Sequence, residues 1–218
     1  MSHKPLAERR KKRENIHRRD EILRSAREVM LKKGYVGATM DEIAAEAKLT
    51  KPTLYQYFKT KDELFVRLVE PLIKSLALKL EKIRTFLEQK KYNTGKDIIR
   101  DIFDVYYRTF ESDPDLFKLF NIFLQFGFIY SMDEGSSMEM KNWGKKCFAE
   151  GNMISSLSAE QGFIRESDMQ LSPDYVWGSF CGIVQLEQNR WRREGISPFL
   201  KPVLQYAENL LASALLLR

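Results

Sequence analysis

Few residues of this chain have the types and spacing that bond-making chemistry needs. His3 and His17 are its only histidines, and both stand near the N-terminus. A histidine-based catalytic centre or a His-rich metal site in the main body is thereby excluded by count. Cys147 and Cys181 stand far apart, without a CxxC spacing. They read as core thiols of a reducing cytoplasm. The adjacent acids Asp133 and Glu134 have no companion motif and read as solvent-exposed loop residues. No GxSxG turn, HExxH pair or glycine-rich phosphate loop occurs. The chain is therefore expected to be no enzyme and to carry no cofactor and no metal.

What remains is the chemistry of holding a polyanion. Residues 1–61 carry 16 Lys/Arg against 8 Asp/Glu, whereas the remaining 157 residues carry 20 against 22. Only the first quarter is electrostatically suited to nucleic acid. Arg9 to Arg13 form an unbroken run of five cations, which repel one another. Residues 1–15 are therefore expected to form a basic arm, disordered without DNA, that lies along phosphates or in the minor groove.

The elements that position a nucleic-acid contact are written into residues 39–64. Thr39 and Glu42 make a T-x-x-E capping box, and Met40, Ile43, Ala44 and Ala47 form one apolar face of a short helix. Lys48-Leu49 breaks that period. Thr50 then caps a second helix, with Pro52 in a first turn where no N–H is missed. This helix buries Leu54 and Phe58 and leaves Lys51, Thr53, Tyr55, Gln56 and Tyr57 largely outward. Thr60 and Glu63 form a second capping box at the start of the next helix. Two short helices joined by a tight turn make a helix-turn-helix, here at about 39–58, whose second helix fits the DNA major groove.

At these residues the chain resembles the DNA-binding domain of the TetR family of bacterial transcriptional regulators. The resemblance rests on Leu54-Tyr55-Gln56-Tyr57-Phe58 followed by Lys61 and Leu64, and upstream on Asp20-Glu-Ile-Leu, Ala26 and Lys33-Gly34-Tyr35. It covers roughly residues 16–76. The family often has Gly where Lys48 and Pro52 stand here. The resemblance implies an all-α fold with an N-terminal DNA-binding domain and a C-terminal ligand-binding and dimerisation domain at 77–218. It also implies that Thr39, Lys51, Thr53, Tyr55, Gln56, Tyr57 and Lys61 form the DNA-binding face. Lys51 and Lys61 would meet phosphate, Tyr55 and Tyr57 phosphate or thymine methyls, and Thr53 and Gln56 base edges.

The apolar periods predict about nine helices and no strand. The first long helix spans Ile16 to Lys33, with Ile22, Leu23, Ala26, Val29 and Met30 inside and Arg19 off its stripe. Gly34 supplies the stop. The fourth helix follows Thr60, and Pro71 within it should kink or restart it. An unusually aromatic helix is expected from Leu116 to about Met132. Gly144 and Gly151 weaken the long helical region before Gly162. Ser172-Pro173 and Ser197-Pro198 cap the last two helices, which form an antiparallel hairpin.

These two helices resemble the family's dimerisation hairpin, with Leu210, Leu211, Leu215, Leu216 and Leu217 apolar beyond the needs of a surface helix. The middle helices resemble its ligand-binding region. Candidates for a pocket are Phe103, Tyr106, Tyr107, Phe120, Phe123, Gln125, Phe128, Trp143, Trp177 and Gln185. Such a lining suits a small hydrophobic or aromatic effector. The expected protein is a cytoplasmic homodimeric repressor on a palindromic double-stranded operator, released by that effector. An activator, or a constitutive regulator without a ligand, is the alternative. A helical protein whose basic head binds membrane lipid needs the charge but not the turn geometry, and no membrane partner is expected.

Overall fold

The computed structural model describes residues 6–170, 172–191 and 195–215, and every element among them is helical. Nine α-helices follow one another: α1 (Leu6–Gly37), α2 (Met40–Glu46), α3 (Lys51–Tyr57), α4 (Lys61–Glu88), α5 (Gly95–Ser112), α6 (Pro114–Gln125), α7 (Glu134–Glu160), α8 (Ser172–Arg190) and α9 (Leu200–Leu215). Two 3-10 turns, Phe128–Tyr130 and Glu166–Asp168, flank α7.

Local chemistry explains most of the helix ends. Gly34 takes φ 74° and ψ 168°, a conformation that interrupts helical geometry near the end of α1. Thr94 starts α5 by accepting from the backbone N–H of Asp97. Gly127 stands in the left-handed region (φ 64°) and stops the aromatic helix at Gln125, seven residues before the sequence period suggests. Phe126, Phe128 and Tyr130 therefore leave the helical stripe, and Tyr130 is 84% exposed. Gly144 and Gly151 do not break α7, which runs through both. Residues 6–15, read from charge as a separate arm, belong to α1.

The chain divides into two compact units. The first comprises the chain up to Pro71 together with Asp115–Met140, and the second comprises Leu72–Pro114 and the chain from Lys141 onward. α4 continues through Pro71, and the boundary between the units falls at this residue. The first unit thus adds α6 and the start of α7 to the helix-turn-helix.

The cores differ in composition. Ile22, Ala26, Met30, Ile43, Leu54 and Phe58 are wholly buried in the first unit, as α1, α2 and α3 close on one another. In the second, α5 and α8 both pack on α9, burying Phe103, Phe180, Val184, Leu204 and Leu211.

Candidate nucleic-acid interface and an aliphatic cavity

The helix-turn-helix is held at each end by side-chain hydrogen bonds. Thr39 Oγ1 accepts from the Glu42 backbone N–H at 3.3 Å, and Glu42 Oε2 accepts from the Thr39 N–H at 3.2 Å. The capping box is complete. In the turn, Lys48 has φ 55°, a left-handed conformation that glycine adopts without cost. Thr50 caps α3 by accepting from the Thr53 N–H at 3.4 Å, and the two hydroxyls lie 2.8 Å apart. Pro52 occupies the first turn of α3.

The far end of α3 is held by a residue that the apolar stripe leaves out. Arg19 of α1 donates from Nη1 to the Tyr57 carbonyl at 2.9 Å, lies 3.8 Å from the Glu63 carboxylate, and places its guanidinium 4.3 Å above the Phe58 ring. A cation on the last-turn carbonyls opposes the negative end of the helix dipole. With Leu54 and Phe58 fully buried beneath it, α3 is fixed in rotation. Periodicity marks Arg19 as solvent-facing, because a long side chain can reach across to another helix from outside the stripe.

That rotation decides what α3 presents. Gln56 is exposed, while Thr53, Tyr55 and Tyr57 are half-buried. Thr39 and Lys51 are exposed, and the Lys51 ammonium lies 2.7 Å from the Asp41 carboxylate, which raises its pKa. Lys61 is half-buried, with Nζ 4.7 Å above the Tyr35 ring and 3.4 Å from the Val36 carbonyl. All seven expected DNA contacts thus lie within the helix-turn-helix or at its two flanks.

The first turn of α4 is bound to the first turn of α7. Thr60 caps α4 by accepting from the Glu63 N–H at 3.0 Å, and donates its own proton to Asp133 Oδ2 at 2.9 Å. Asp133 caps α7 through the Ser136 N–H at 2.9 Å, and its backbone N–H donates to Asp62 Oδ2 at 2.7 Å. The Tyr35 hydroxyl donates to the other Asp62 oxygen. Two helix N-termini therefore cap each other, with their positive ends facing two carboxylates. The Ser136 N–H is the largest influence holding the Asp133 carboxyl below its ordinary pKa. Glu63 departs from the expected box by accepting from Lys59 instead of Thr60. Arg67 completes the seam with a 2.6 Å contact to Glu139.

Beneath this seam the rings of α6 fill the first unit. Phe123 is stacked on Phe65 with centroids 4.3 Å apart, Tyr35 meets both rings edge-on, and Phe128 closes the cluster at 6.0 Å from Phe123. Phe120, Phe123 and Phe128 are thus core or near-core residues of the DNA-binding unit, and Gln125 is exposed at the end of α6.

The second unit carries a partly open aliphatic cavity of about 50 Å³, lined among others by Leu80, Ile98, Ile102, Tyr106, Ile154 and Val176. Of the ten residues expected at an effector site, Tyr106 alone is among its lining. Trp177 sits behind Tyr106 at 4.9 Å, ring edge to ring face. Phe103 and Tyr107 border a charged groove between α5 and α9, where Tyr107 donates to Glu111 at 3.2 Å. Trp143 lies under the ammonium groups of Lys74 and Lys146, and Gln185 is half-buried on α8. Aromatic content marked where rings gather, but the cavity wall is built from Ile, Leu and Val.

The capped turn, the anchored α3 and its outward polar face define a helix-turn-helix protein. Residues 22–68 match the family described as bacterial regulatory proteins, tetR family. Over 59 residues the chain is 42% identical to the HTH-type transcriptional activator FasR of Mycolicibacterium smegmatis, a stretch covering 27% of each chain. It is 30% identical over 90 residues to the HTH-type transcriptional repressor NicS of Pseudomonas putida, covering 41% of this chain and 42% of NicS. The match thus spans less than half the length of these curated relatives. Over 88% of this chain and 97% of the other, the fold is that of the regulator FadR from Bacillus subtilis in complex with stearoyl-CoA, with a TM-score of 0.63 and 19% identity. Residues 22–68 thus match the tetR family of bacterial regulatory proteins, and the fold is similar to that of a solved TetR-family transcriptional regulator.

Proposed function

We propose that the chain is a cytoplasmic transcriptional repressor that binds a palindromic operator as a homodimer and leaves it when a small hydrophobic effector occupies the second unit. The observation that carries this reading is α3, held at both ends and rotated so that Gln56 points outward. Such a helix reads base edges, with Gln56 bidentate to adenine, while Lys51 and Lys61 serve phosphate.

Self-association is supported by the α8–α9 hairpin. Tyr175 and Leu186 on α8, and Tyr206 and Leu210 on α9, are each more than half exposed, and Phe199 just before α9 is 57% exposed. Gly178 and Gly182, which lie between Tyr175 and Leu186, have open space where a Cβ would stand. A partner helix can approach closely there. Leu216 and Leu217 lie outside the described residues. A two-fold dimer places its recognition helices on half-sites about 34–36 Å apart.

Effector control requires that the effector prefer the conformation whose helix spacing suits the operator less. α4 and α7 each belong to both units and give the change a covalent route. The FadR structure with stearoyl-CoA supports a ligand role for a fold of this kind.

Selection of bound sequences from random DNA, followed by titration of the recovered site, tests the reading. Gln56→Ala is expected to relax preference at one operator position, at a cost of about 1–3 kcal/mol in discrimination. Lys61→Ala is expected to weaken all sequences alike and to flatten the salt dependence. Recovery of no preferred sequence would refute operator recognition. FasR, an activator that is 42% identical over the DNA-binding segment, favours activation as the second reading. A reporter gene under the recovered site separates the two: expression rises on deletion of a repressor and falls on deletion of an activator.

A further inference from the structure

The turn of the helix-turn-helix holds a conformation that its own residue does not favour. The Leu49 N–H donates to the Ala44 carbonyl at 2.9 Å, and the Lys48 N–H donates to the Ala45 carbonyl at 3.0 Å. This pair of bonds is a Schellman cap of α2, and it sets Lys48 in the left-handed region at φ 55°. α7 ends on the same pair of bonds, from Gly162 to Ala159 and from Phe163 to Ser158, and there the left-handed residue is glycine. A lysine at such a position crowds its Cβ against a carbonyl oxygen, a cost that glycine escapes.

Strain of this kind points to a use for the side chain. Residues 39–64 carry four lysines, Lys48, Lys51, Lys59 and Lys61, against five acids. Three of the four ammonium groups are held within the protein. Lys51 lies 2.7 Å from Asp41, Lys59 donates to the Tyr55 carbonyl at 2.8 Å, and Lys61 lies against the Tyr35 ring and the Val36 carbonyl. Lys48 is exposed, and its ammonium has no hydrogen-bond or ion-pair partner among the described residues. Its charge meets an anion without first giving up an internal contact.

Position names the anion. In a helix-turn-helix the second helix lies in the major groove and the first crosses the backbone, so the turn between them stands over phosphates at the groove's edge. Lys48 is in that turn, two residues before the Thr50 cap of α3. Strain alone does not make the assignment, because Lys90 takes the same conformation, at φ 51°, in the same cap at the end of α4. Lys90 is also exposed, but it belongs to the second unit and not to the helix-turn-helix. It serves as a natural control.

Resting on the DNA-binding reading above, we propose that Lys48 is a phosphate-binding residue of the DNA interface, kept at a left-handed position for its charge. Its ammonium pairs with a backbone phosphate beside the groove that α3 occupies. It adds affinity for duplex DNA and no base preference.

The test follows the full-length protein by fluorescence anisotropy on the selected operator and on a random duplex, from about 50 to about 200 mM KCl. Lys48→Gly keeps the turn and removes the ammonium. It is expected to weaken binding to both duplexes roughly tenfold and to reduce the salt slope by about 0.9 for each protomer. Its thermal midpoint is expected to rise by about 2–4 °C. Lys48→Arg keeps the charge and is expected to keep the parental affinity and slope. Lys90→Gly is expected to raise the midpoint by a similar amount with DNA binding unchanged. A lysine with a merely structural role would not raise stability and lower affinity together on its removal. A Lys48→Gly protein with the parental salt slope overturns the proposal, as does a lowered midpoint or an equal loss of binding in Lys90→Gly. A parent that binds the two duplexes equally, with the Lys48→Gly loss still present, supports the phosphate contact and defeats operator recognition instead.

Discussion

In the unit that carries the helix-turn-helix, Tyr35, Phe65, Phe123 and Phe128 fill their own space ring against ring. In the other unit, Tyr106, Trp177 and Phe180 stack beside a space that aliphatic side chains leave open. Similar residues thus serve opposite ends. Offset and edge-to-face ring pairs build a stiff core, and a DNA-reading head must keep α3 and the start of α4 in one geometry. The wall of that space is mostly aliphatic. Trp177 and Phe180 pack against the Tyr106 ring, which lines that space.

The comparison can be broken most severely in the first unit. Phe65→Ala removes a wholly buried ring stacked 4.3 Å from Phe123. It is expected to destabilise by about 3–5 kcal/mol in chemical denaturation and to abolish operator binding. A loss below about 1 kcal/mol would show that the cluster is loosely packed and that the contrast with the second unit is false.

A smaller effect is expected at the paired caps. Asp133→Ala removes the cap of α7 and the acceptor of the Thr60 hydroxyl together. The expected cost is about 1–2 kcal/mol. Because the Asp133 carboxyl is held below its unfolded pKa, its contribution is present above the ordinary carboxylate range and is lost as pH falls through the folded value. Acid titration of stability should therefore show a component between about pH 4 and lower values that is missing from Asp133→Asn. Identical acid curves for the two proteins would remove Asp133 from the account of this seam.

The smallest effect sharpens the contrast from the second unit. Gly151 of α7 lines the cavity, and a Cβ there would stand 3.4 Å from that of Pro173. Gly151→Ala is expected to stabilise by about 0.5–1 kcal/mol through helix propensity, since the methyl group meets Pro173 at van der Waals distance. Thermal denaturation decides the matter: a lower midpoint would mean that the wall is already full.

The local devices of the head were legible because each is a contact between residues close in sequence. The Thr39–Glu42 box, the Thr50 cap, the Gly34 stop and burial of Leu54 and Phe58 follow from spacings of three to five residues. Lys48, where the family often has glycine, takes the left-handed conformation that explains the preference. What escaped local reading acts across distance. Arg19 reaches α3 from 38 residues away, and Thr60 meets Asp133 across 73. Gly127 ended α6 early because a single left-handed residue outweighed an apolar period.

By itself the sequence determined an all-α chain, a basic head and a capped helix-turn-helix, because backbone hydrogen bonds, side-chain caps and charge density are properties of neighbouring residues. Tertiary structure alone decided where the aromatic residues went. α6 joined the DNA-binding unit, and of the ten residues expected at an effector site only Tyr106 reached the cavity. Burial is non-directional, and an apolar stripe states that a face must be covered without naming the surface that covers it.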